Sequence, residues 1–202
     1  MIKEKELKLS LSKGDYQSLL NTLQEGKEVV QVNHYFDTTN FDLKNQNMTL
    51  RIRYEHELYQ LTLKVKTNSQ NSVVFSNEFN YDITPDQYNQ SLLSSNFVTS
   101  LLGEEAKEIL SISNIKLGDI GYLGKLENVR ISLKGFKETL FQIDKTRYPH
   151  DNIEYELEIE DIEDVDIILN YLKENYRIKG LQSQGSKYSR FIKYLNTNVS
   201  EK

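Results

Sequence analysis

The chain has 202 residues, 30 acidic and 25 basic, so its formal net charge is −5, which argues against general nucleic-acid binding. It contains no cysteine, which excludes disulfides, thiolate nucleophiles and sulfur-ligated zinc. No apolar run approaches the roughly 18 residues of a membrane helix and no signal peptide opens the chain, so we expect a cytoplasmic protein without a membrane partner.

The first part of the chain alternates between apolar and polar residues, which is typical of strands with one face of each kind. Strands are predicted over residues 3–11 and 28–37. A short helix is predicted between them over residues 15–23, with Ser12 as a suitable N-cap. Asp37 ends the second strand, and we expect it to cap the polar helical turn that follows.

The middle of the chain continues with three strands and then changes to helical spacing. Alternation predicts strands over residues 48–57, 58–67 and 73–82, the first two joined directly as an antiparallel hairpin. Residues 84–112 lack alternation, and Pro85 stands where a first helical turn tolerates proline. This region is therefore predicted to be helical.

The last part of the chain returns to strands and ends in two helices. Strands are predicted over residues 119–134, 138–148 and 153–160, and helices over about 163–175 and 187–195. The total is eight long strands, most of them joined by short turns. No linker or internal repeat divides them.

The polar faces of these strands segregate their charges. Basic residues fall on the third, fourth and sixth strands: Arg51, Arg53, Lys64, Lys66 and Arg130. Acidic residues fall on the first, seventh and eighth strands: Glu4, Glu6, Asp144, Glu154, Glu156 and Glu158. Like charges on strands about 5 Å apart repel by roughly 3 kcal/mol at an effective dielectric constant near 20. A solvated face of unrelated charges is the alternative interpretation, but a polyphosphate with divalent metal ions would neutralise both groups at once.

The pattern predicts a fold class. The helices carry apolar stripes that can cover the apolar faces of the strands, which leaves the charged faces pointing inward. Closing eight antiparallel strands into a barrel also removes exposed edges. We therefore predict an α+β fold, an eight-stranded antiparallel β-barrel with a charged interior and helices packed outside, in a single domain over residues 1–202.

The order of these residues resembles the CYTH, or triphosphate tunnel metalloenzyme, superfamily. Residues 4–8, with the sequence EKELK, match its ExExK signature. Further matches follow in family order over nearly the whole chain: Tyr35-Phe36-Asp37-Thr38, Leu50-Arg51-Ile52-Arg53, Leu63-Lys64-Val65-Lys66, Arg130, Asp144, Glu156-Leu157-Glu158 and Ser186-Lys187-Tyr188. The resemblance implies an eight-stranded antiparallel tunnel, in agreement with the barrel predicted from alternation.

The resemblance also implies a role for each group of charged residues. Metal coordination is implied for Glu4, Glu6, Asp144, Glu156 and Glu158, with Mg²⁺ or Mn²⁺ as the expected ion. Phosphate binding is implied for Arg51, Arg53, Lys64, Lys66 and Arg130. Catalytic positions are implied for Lys8, as a base or a phosphate contact, and for Lys187, as a gate or a phosphate contact. Ion pairs between these acids and bases are the simpler alternative, and for Glu78 pairing with arginine is the prediction.

The expected activity is metal-dependent hydrolysis of a triphosphate, whether inorganic triphosphate, a nucleoside triphosphate or thiamine triphosphate. No GxxxxGK[ST] segment is present, which excludes a Walker-type NTPase. A class IV adenylate cyclase, which makes cyclic AMP and pyrophosphate from ATP, is one alternative. A non-catalytic protein that binds nucleotides or polyphosphate is another, and a homodimer is left open. Charge repulsion alone predicts that neutralising Glu156 and Glu158 stabilises the metal-free protein.

Overall fold

The computed structural model describes residues 1–23, 26–70, 73–94, 96–160, 162–178, 181–182 and 185–197. The strands are β1 (Ile2–Leu11), β2 (Lys27–Asp37), β3 (Met48–Glu55), β4 (Leu58–Gln70), β5 (Val73–Ile83), β6 (Gly121–Lys134), β7 (Leu140–Arg147), β8 (Ile153–Glu160) and β9 (Leu181–Gln182). The helices are α1 (Lys13–Thr22), α2 (Asp42–Asn45), α3 (Pro85–Leu93), α4 (Phe97–Ser100), α5 (Glu104–Ile112), α6 (Val165–Tyr176) and α7 (Lys187–Asn196). All eight predicted strands are confirmed, and the two-residue β9 is an addition.

The strands form one hydrogen-bonded sheet in the order β5-β4-β3-β2-β6-β7-β8-β1-β9, and β5 also pairs with β1. The order of the eight long strands therefore closes on itself as a β-barrel. The pairs with a described register, β2–β3, β3–β4, β6–β7, β7–β8 and β8–β1, are all antiparallel. The predicted fold class is confirmed.

The described residues divide into two compact units. The first comprises Met1–Lys3, Gln31–Lys66 and Ser76–Leu126, and the second comprises Glu4–Val30, Thr67–Phe75 and Glu127–Lys202, the latter including the end of the chain beyond the described residues. In the first unit, α4 and α5 bury Val98 and Leu110 in one apolar cluster with Leu50, Ile52 and Leu63 of the strands. These strand residues alternate with the charged ones, so the helices cover the apolar face.

The second unit has an apolar core of the same kind. Leu19 of α1 and Leu172 of α6 are fully buried in a cluster with Leu7 of β1, Phe141 of β7 and Leu157 of β8. Each of these strand residues alternates with a charged or polar neighbour, because successive side chains of a strand point to opposite faces. Helices α1 and α6 therefore lie on the apolar faces of the strands in this unit, as the sequence predicts.

Capping residues fix the turns where the sequence predicts them. The Ser12 hydroxyl accepts from the Asp15 N–H at 3.0 Å and begins α1. The Asp37 carboxylate accepts from the backbone N–H groups of Thr38, Leu43 and Lys44 at 2.7–3.0 Å, which confirms its capping role. In the described ranges, no helix is long and apolar enough to cross a membrane.

Candidate functional site

The second unit buries a set of acidic side chains on the faces of β1, β7 and β8 that point away from α1 and α6. Asp144 is fully buried, and Glu6, Glu156 and Glu158 are between 1% and 5% exposed. Cross-strand pairing brings them together, because Asp144 lies opposite Glu156 and Lys8 lies opposite Glu158. Buried carboxylates are costly unless cations or hydrogen bonds compensate them, so their partners define the chemistry of this site.

Lys187 provides the central cation of this acidic cluster. Its Nζ lies 2.7 Å from Glu158 Oε1, 2.8 Å from Asp144 Oδ2 and 3.0 Å from Glu156 Oε2. The side chain is only 12% exposed although Lys187 is the first residue of α7. Helix α7 therefore places one positive charge at the point where three carboxylates converge.

Two further predicted site residues complete the neutralisation. Lys8 Nζ lies 3.1 Å from Glu6 Oε1 and 3.1 Å from Glu158 Oε1. Arg130 makes a two-pronged contact with Asp144, from Nε at 2.8 Å and from Nη2 at 2.6 Å, and it also contacts Glu158. Bidentate contacts of this kind are the strongest that a guanidinium makes with a carboxylate.

Sequence reasoning missed one buried cation, Arg190 in α7. It contacts Glu156, and its Nη1 lies 3.0 Å from Glu154 Oε2. The hydroxyl of Tyr194 donates to Glu154 at 2.7 Å from the next turn of the same helix. The sequence signal was the spacing of Lys187, Arg190 and Tyr194, which places polar groups on one stripe of the last helix.

The electrostatics of the cluster favour the charged forms of Asp144, Glu156, Glu158 and Lys8. Burial alone would raise the pKa of Glu156, but Lys187 and Arg190 lower it to about 2. The pKa values of Asp144 and Glu158 are also lowered, against their burial, chiefly by Lys187. Burial opposes the charge on Lys8, but Glu158 and Glu6 raise its pKa above the ordinary value. Asp144, Glu156 and Glu158 are therefore ionised, and Lys8 is protonated, at neutral pH.

The first unit holds a separate group of cations on β3 and β4. Lys64 Nζ lies 3.1 Å from Glu78 Oε1, and Arg51 Nη2 lies 3.9 Å from the same oxygen, so the predicted pairing of Glu78 is confirmed. Arg53 Nε donates to Asn33 Oδ1 at 3.0 Å. The Nε of Arg51 is buried without a hydrogen-bond partner. An anion that offers several oxygen acceptors would satisfy this group.

Two predicted site residues lie at the margins of these groups. Lys66 is exposed near the end of β4, and Glu4 is half-buried near the start of β1. The two ring nitrogens of His34 lie 3.2 Å from the Tyr122 hydroxyl and 3.1 Å from the Tyr88 hydroxyl, which fits a structural role. Burial, together with the charge of Lys125, lowers the pKa of His34 to about 4.

The acidic cluster has the donor chemistry of a divalent cation site but is drawn together by ammonium and guanidinium groups. Over the described ranges, no three His, Asp or Glu side chains are arranged closely enough to hold a metal ion by themselves. The three oxygens around Lys187 Nζ nevertheless share one centre and are all carboxylate oxygens, the ligands that Mg²⁺ and Mn²⁺ prefer. The donor set therefore fits such an ion if Lys187 gives way.

Comparison with solved structures shows the same fold elsewhere. HpAC1 from Hippeastrum, provisionally named an adenylyl cyclase and described as having a dominant triphosphatase activity, is 26% identical. Its TM-score is 0.81, over 94% of this chain and 95% of that one. A Bacillus halodurans protein provisionally named an adenylate cyclase is 24% identical, with a TM-score of 0.78 over 95% of this chain and 99% of that one.

Sequence comparisons are consistent with these structures. YjbK of Bacillus subtilis (strain 168), provisionally named a triphosphatase, is 43% identical over 63 residues, which is 30% of this chain and 33% of that protein. The match thus spans about a third of the length of this curated relative. The model of the CYTH domain matches residues 3–192, nearly the whole chain. The chain therefore belongs to the CYTH family.

Proposed function

We propose that this protein is a divalent-cation-dependent hydrolase of triphosphates. One observation carries the proposal: three buried, ionised carboxylates, Asp144, Glu156 and Glu158, converge within 3.0 Å of a single cationic centre. Such a cluster is stable only with a cation, and the hard oxygen donors suit Mg²⁺ or Mn²⁺. The triphosphatase descriptions of HpAC1 and YjbK support the choice of substrate class.

The carboxylates would hold the cation, with Glu6 and Glu4 of the signature motif as further ligands. A divalent ion held by these acids would supply neutralisation of the phosphate charge and activation of water for attack. The protein residues then need only to orient the phosphates and to keep the acids ionised. The lowered pKa of Glu156, about 2, is consistent with that requirement.

Within each unit, basic side chains would bind phosphate oxygens. The guanidinium groups of Arg51 and Arg53 can each donate two parallel hydrogen bonds to phosphate oxygens. The ammonium group of Lys64 adds a positive point charge. In the structure Lys64 pairs with Glu78 and Arg130 pairs with Asp144, so a carboxylate holds each of these two cations in place. In each unit, a phosphate oxygen would take the place of the carboxylate oxygen at the cation.

The protonation of Lys8 bears on its role. Because Glu158 and Glu6 raise its pKa against the effect of burial, Lys8 carries a proton at neutral pH in the metal-free protein. We therefore assign it to phosphate contact, where its charge stabilises the negative charge that moves onto the leaving oxygen. Lys187 would contribute a second ammonium of the same kind.

The proposal is tested by product analysis of the purified protein with Mg²⁺ and with Mn²⁺. The substrates are inorganic triphosphate, ATP and thiamine triphosphate. We expect phosphate release, with ADP as the product from ATP. If the products from ATP are cyclic AMP and pyrophosphate, the protein is a cyclase and the proposal is wrong. If the substrates bind tightly without any turnover, the protein is a binding protein and the proposal is wrong as well.

A further inference from the structure

Arg190 is the buried cation of the acidic cluster to which neither the sequence pattern nor the proposed chemistry assigns a role. Arg190 is 7% exposed, so it is buried more deeply than an arginine on the surface of a helix normally is. One arm of the guanidinium contacts Glu154 and the other contacts Glu156, two residues apart on the same face of β8. The ring of Tyr148 lies 5.6 Å below the guanidinium carbon.

We propose that Arg190 is a positioning residue that holds the Glu156 carboxylate in the orientation needed for cation binding. The inference rests on the proposed function, because it assigns Glu156 to the cation. Oε2 of Glu156 is contacted by Arg190 and also by Lys187, at 3.0 Å. If Lys187 moved away when a divalent ion is held by these acids, the contact to Arg190 would remain to fix the carboxylate.

The chemistry of the guanidinium suits it to this role. It stays charged at any working pH, and burial, which opposes the charge, is outweighed by Glu156, so the pKa of Arg190 lies above its ordinary value. Its planar fork spans two carboxylates, which a single ammonium cannot do with the same geometry. Residues that orient a metal ligand in this way contribute about 10- to 100-fold to metal affinity when tested by mutation.

A purely structural role, in which Arg190 only docks α7 against β8, is the competing explanation. Tyr194 provides the matched control, because its hydroxyl also ties α7 to Glu154, at 2.7 Å, but Tyr194 has no described contact with Glu156. Tyr194→Phe removes a docking contact and leaves the Arg190 contact to Glu156 in place. Arg190→Gln removes the contact to Glu156, and Arg190→Lys keeps the charge without the fork.

The experiment is calorimetric titration of Mn²⁺ into the metal-free full chain, with melting temperature as the check on folding. We expect Arg190→Gln and Arg190→Lys to weaken Mn²⁺ binding by about 10-fold or more, and Tyr194→Phe to bind within about twofold of wild type. If both Arg190 variants bind Mn²⁺ as the wild type does, the inference is wrong.

The same titration separates this inference from the proposed function. A wild type that binds no Mn²⁺ contradicts the proposed function, and the inference falls with it. A wild type that binds Mn²⁺ beside Arg190 variants of equal affinity contradicts only the inference. If Arg190→Gln does not fold, Arg190→Lys decides the question alone, since its charge is retained. Equal losses of affinity in Tyr194→Phe and the Arg190 variants would indicate docking and would also overturn the inference.

Discussion

Lys187 Nζ lies 2.7 Å from Oε1 of Glu158, a residue 29 positions earlier in the chain. Lys8 reaches the same oxygen at 3.1 Å from the first strand. Two ammonium groups on one buried carboxylate oxygen mean that the acidic cluster is neutralised by the protein itself. Bound substrate and metal therefore have to compete with internal ion pairs, and this competition determines how variants of the cluster respond.

Removing the Lys187 ammonium should destabilise the metal-free protein. Lys187→Met leaves three buried carboxylates short of one cation, and breaking a buried ion pair on one side costs about 3–5 kcal/mol. Mn²⁺ should restore much of that loss, because it binds only the folded cluster. Urea denaturation with and without Mn²⁺ measures both effects. The exposed Lys193 on the same helix gives the control, and Lys193→Met should change the unfolding free energy by less than about 0.5 kcal/mol.

Neutralising Glu156 and Glu158 of β8 should lower the stability of the metal-free protein, whereas charge repulsion alone predicts that the stability rises. Repulsion among carboxylates alone predicts that Glu156→Gln with Glu158→Gln stabilises the metal-free protein. In the structure both carboxylates face buried cations, Lys187 and Arg190 among them, so their loss leaves those cations uncompensated. We expect a lower melting temperature for the metal-free double variant and no stabilisation by Mn²⁺. A higher melting temperature would mean that repulsion outweighs the ion pairs.

Replacing Arg53 should weaken triphosphate binding more than it lowers the stability of the folded protein. Arg53→Ala removes a guanidinium that lies on the same face of β3 as Arg51, and a hydrogen bond to a charged group contributes roughly 1.5–3 kcal/mol. We therefore expect triphosphate to bind about 10- to 100-fold more weakly, measured by calorimetry. Arg147→Ala, at an exposed position of β7, is the control for loss of a positive charge. If Arg53→Ala binds triphosphate with unchanged affinity, this face of β3 is not part of the substrate site.

His34 should make the stability depend on pH in the weakly acidic range. Its folded pKa of about 4 lies below the ordinary 6.5, so the unfolded chain takes up a proton first as the pH falls. Its contribution is present above pH 6.5 and is lost as the pH falls towards 4. His34→Gln should therefore show a smaller decline of unfolding free energy over that window. Urea denaturation of both proteins between pH 6.5 and pH 4 measures the difference, and equal slopes would contradict the prediction.

Most of the fold could be predicted because alternation determines which residues face the helices. Leu7, Leu157 and Leu63 are all fully buried on the apolar faces, and Asp144 and Glu156 lie on the opposite faces as predicted. The boundaries of the eight long strands agree to within a few residues. The sequence predicts that region 84–112 is helical but does not divide it into α3, α4 and α5. These helices are separated by short turns that periodicity does not mark.

The site was predictable where its residues lie on strands and less so where they lie on α7. Strand parity alone brings Glu156 and Glu158 to one face, but it gives no register between the first and eighth strands. Lys187 was assigned only through the family resemblance, since a lysine that begins a helix is usually exposed. Arg190 was missed because its helix was interpreted as an apolar stripe, and only packing against β8 turns its guanidinium towards Glu156.

The central claim is that the acidic cluster of β1, β7 and β8 holds the cation that supports triphosphate hydrolysis. The most direct measurement is the rate of phosphate release from inorganic triphosphate, with and without Mn²⁺, by the wild type and by Glu158→Gln. We predict that the wild type releases phosphate only with Mn²⁺ and that Glu158→Gln, although folded, does not do so at a measurable rate. Metal-dependent release at the wild-type rate by Glu158→Gln would contradict the account.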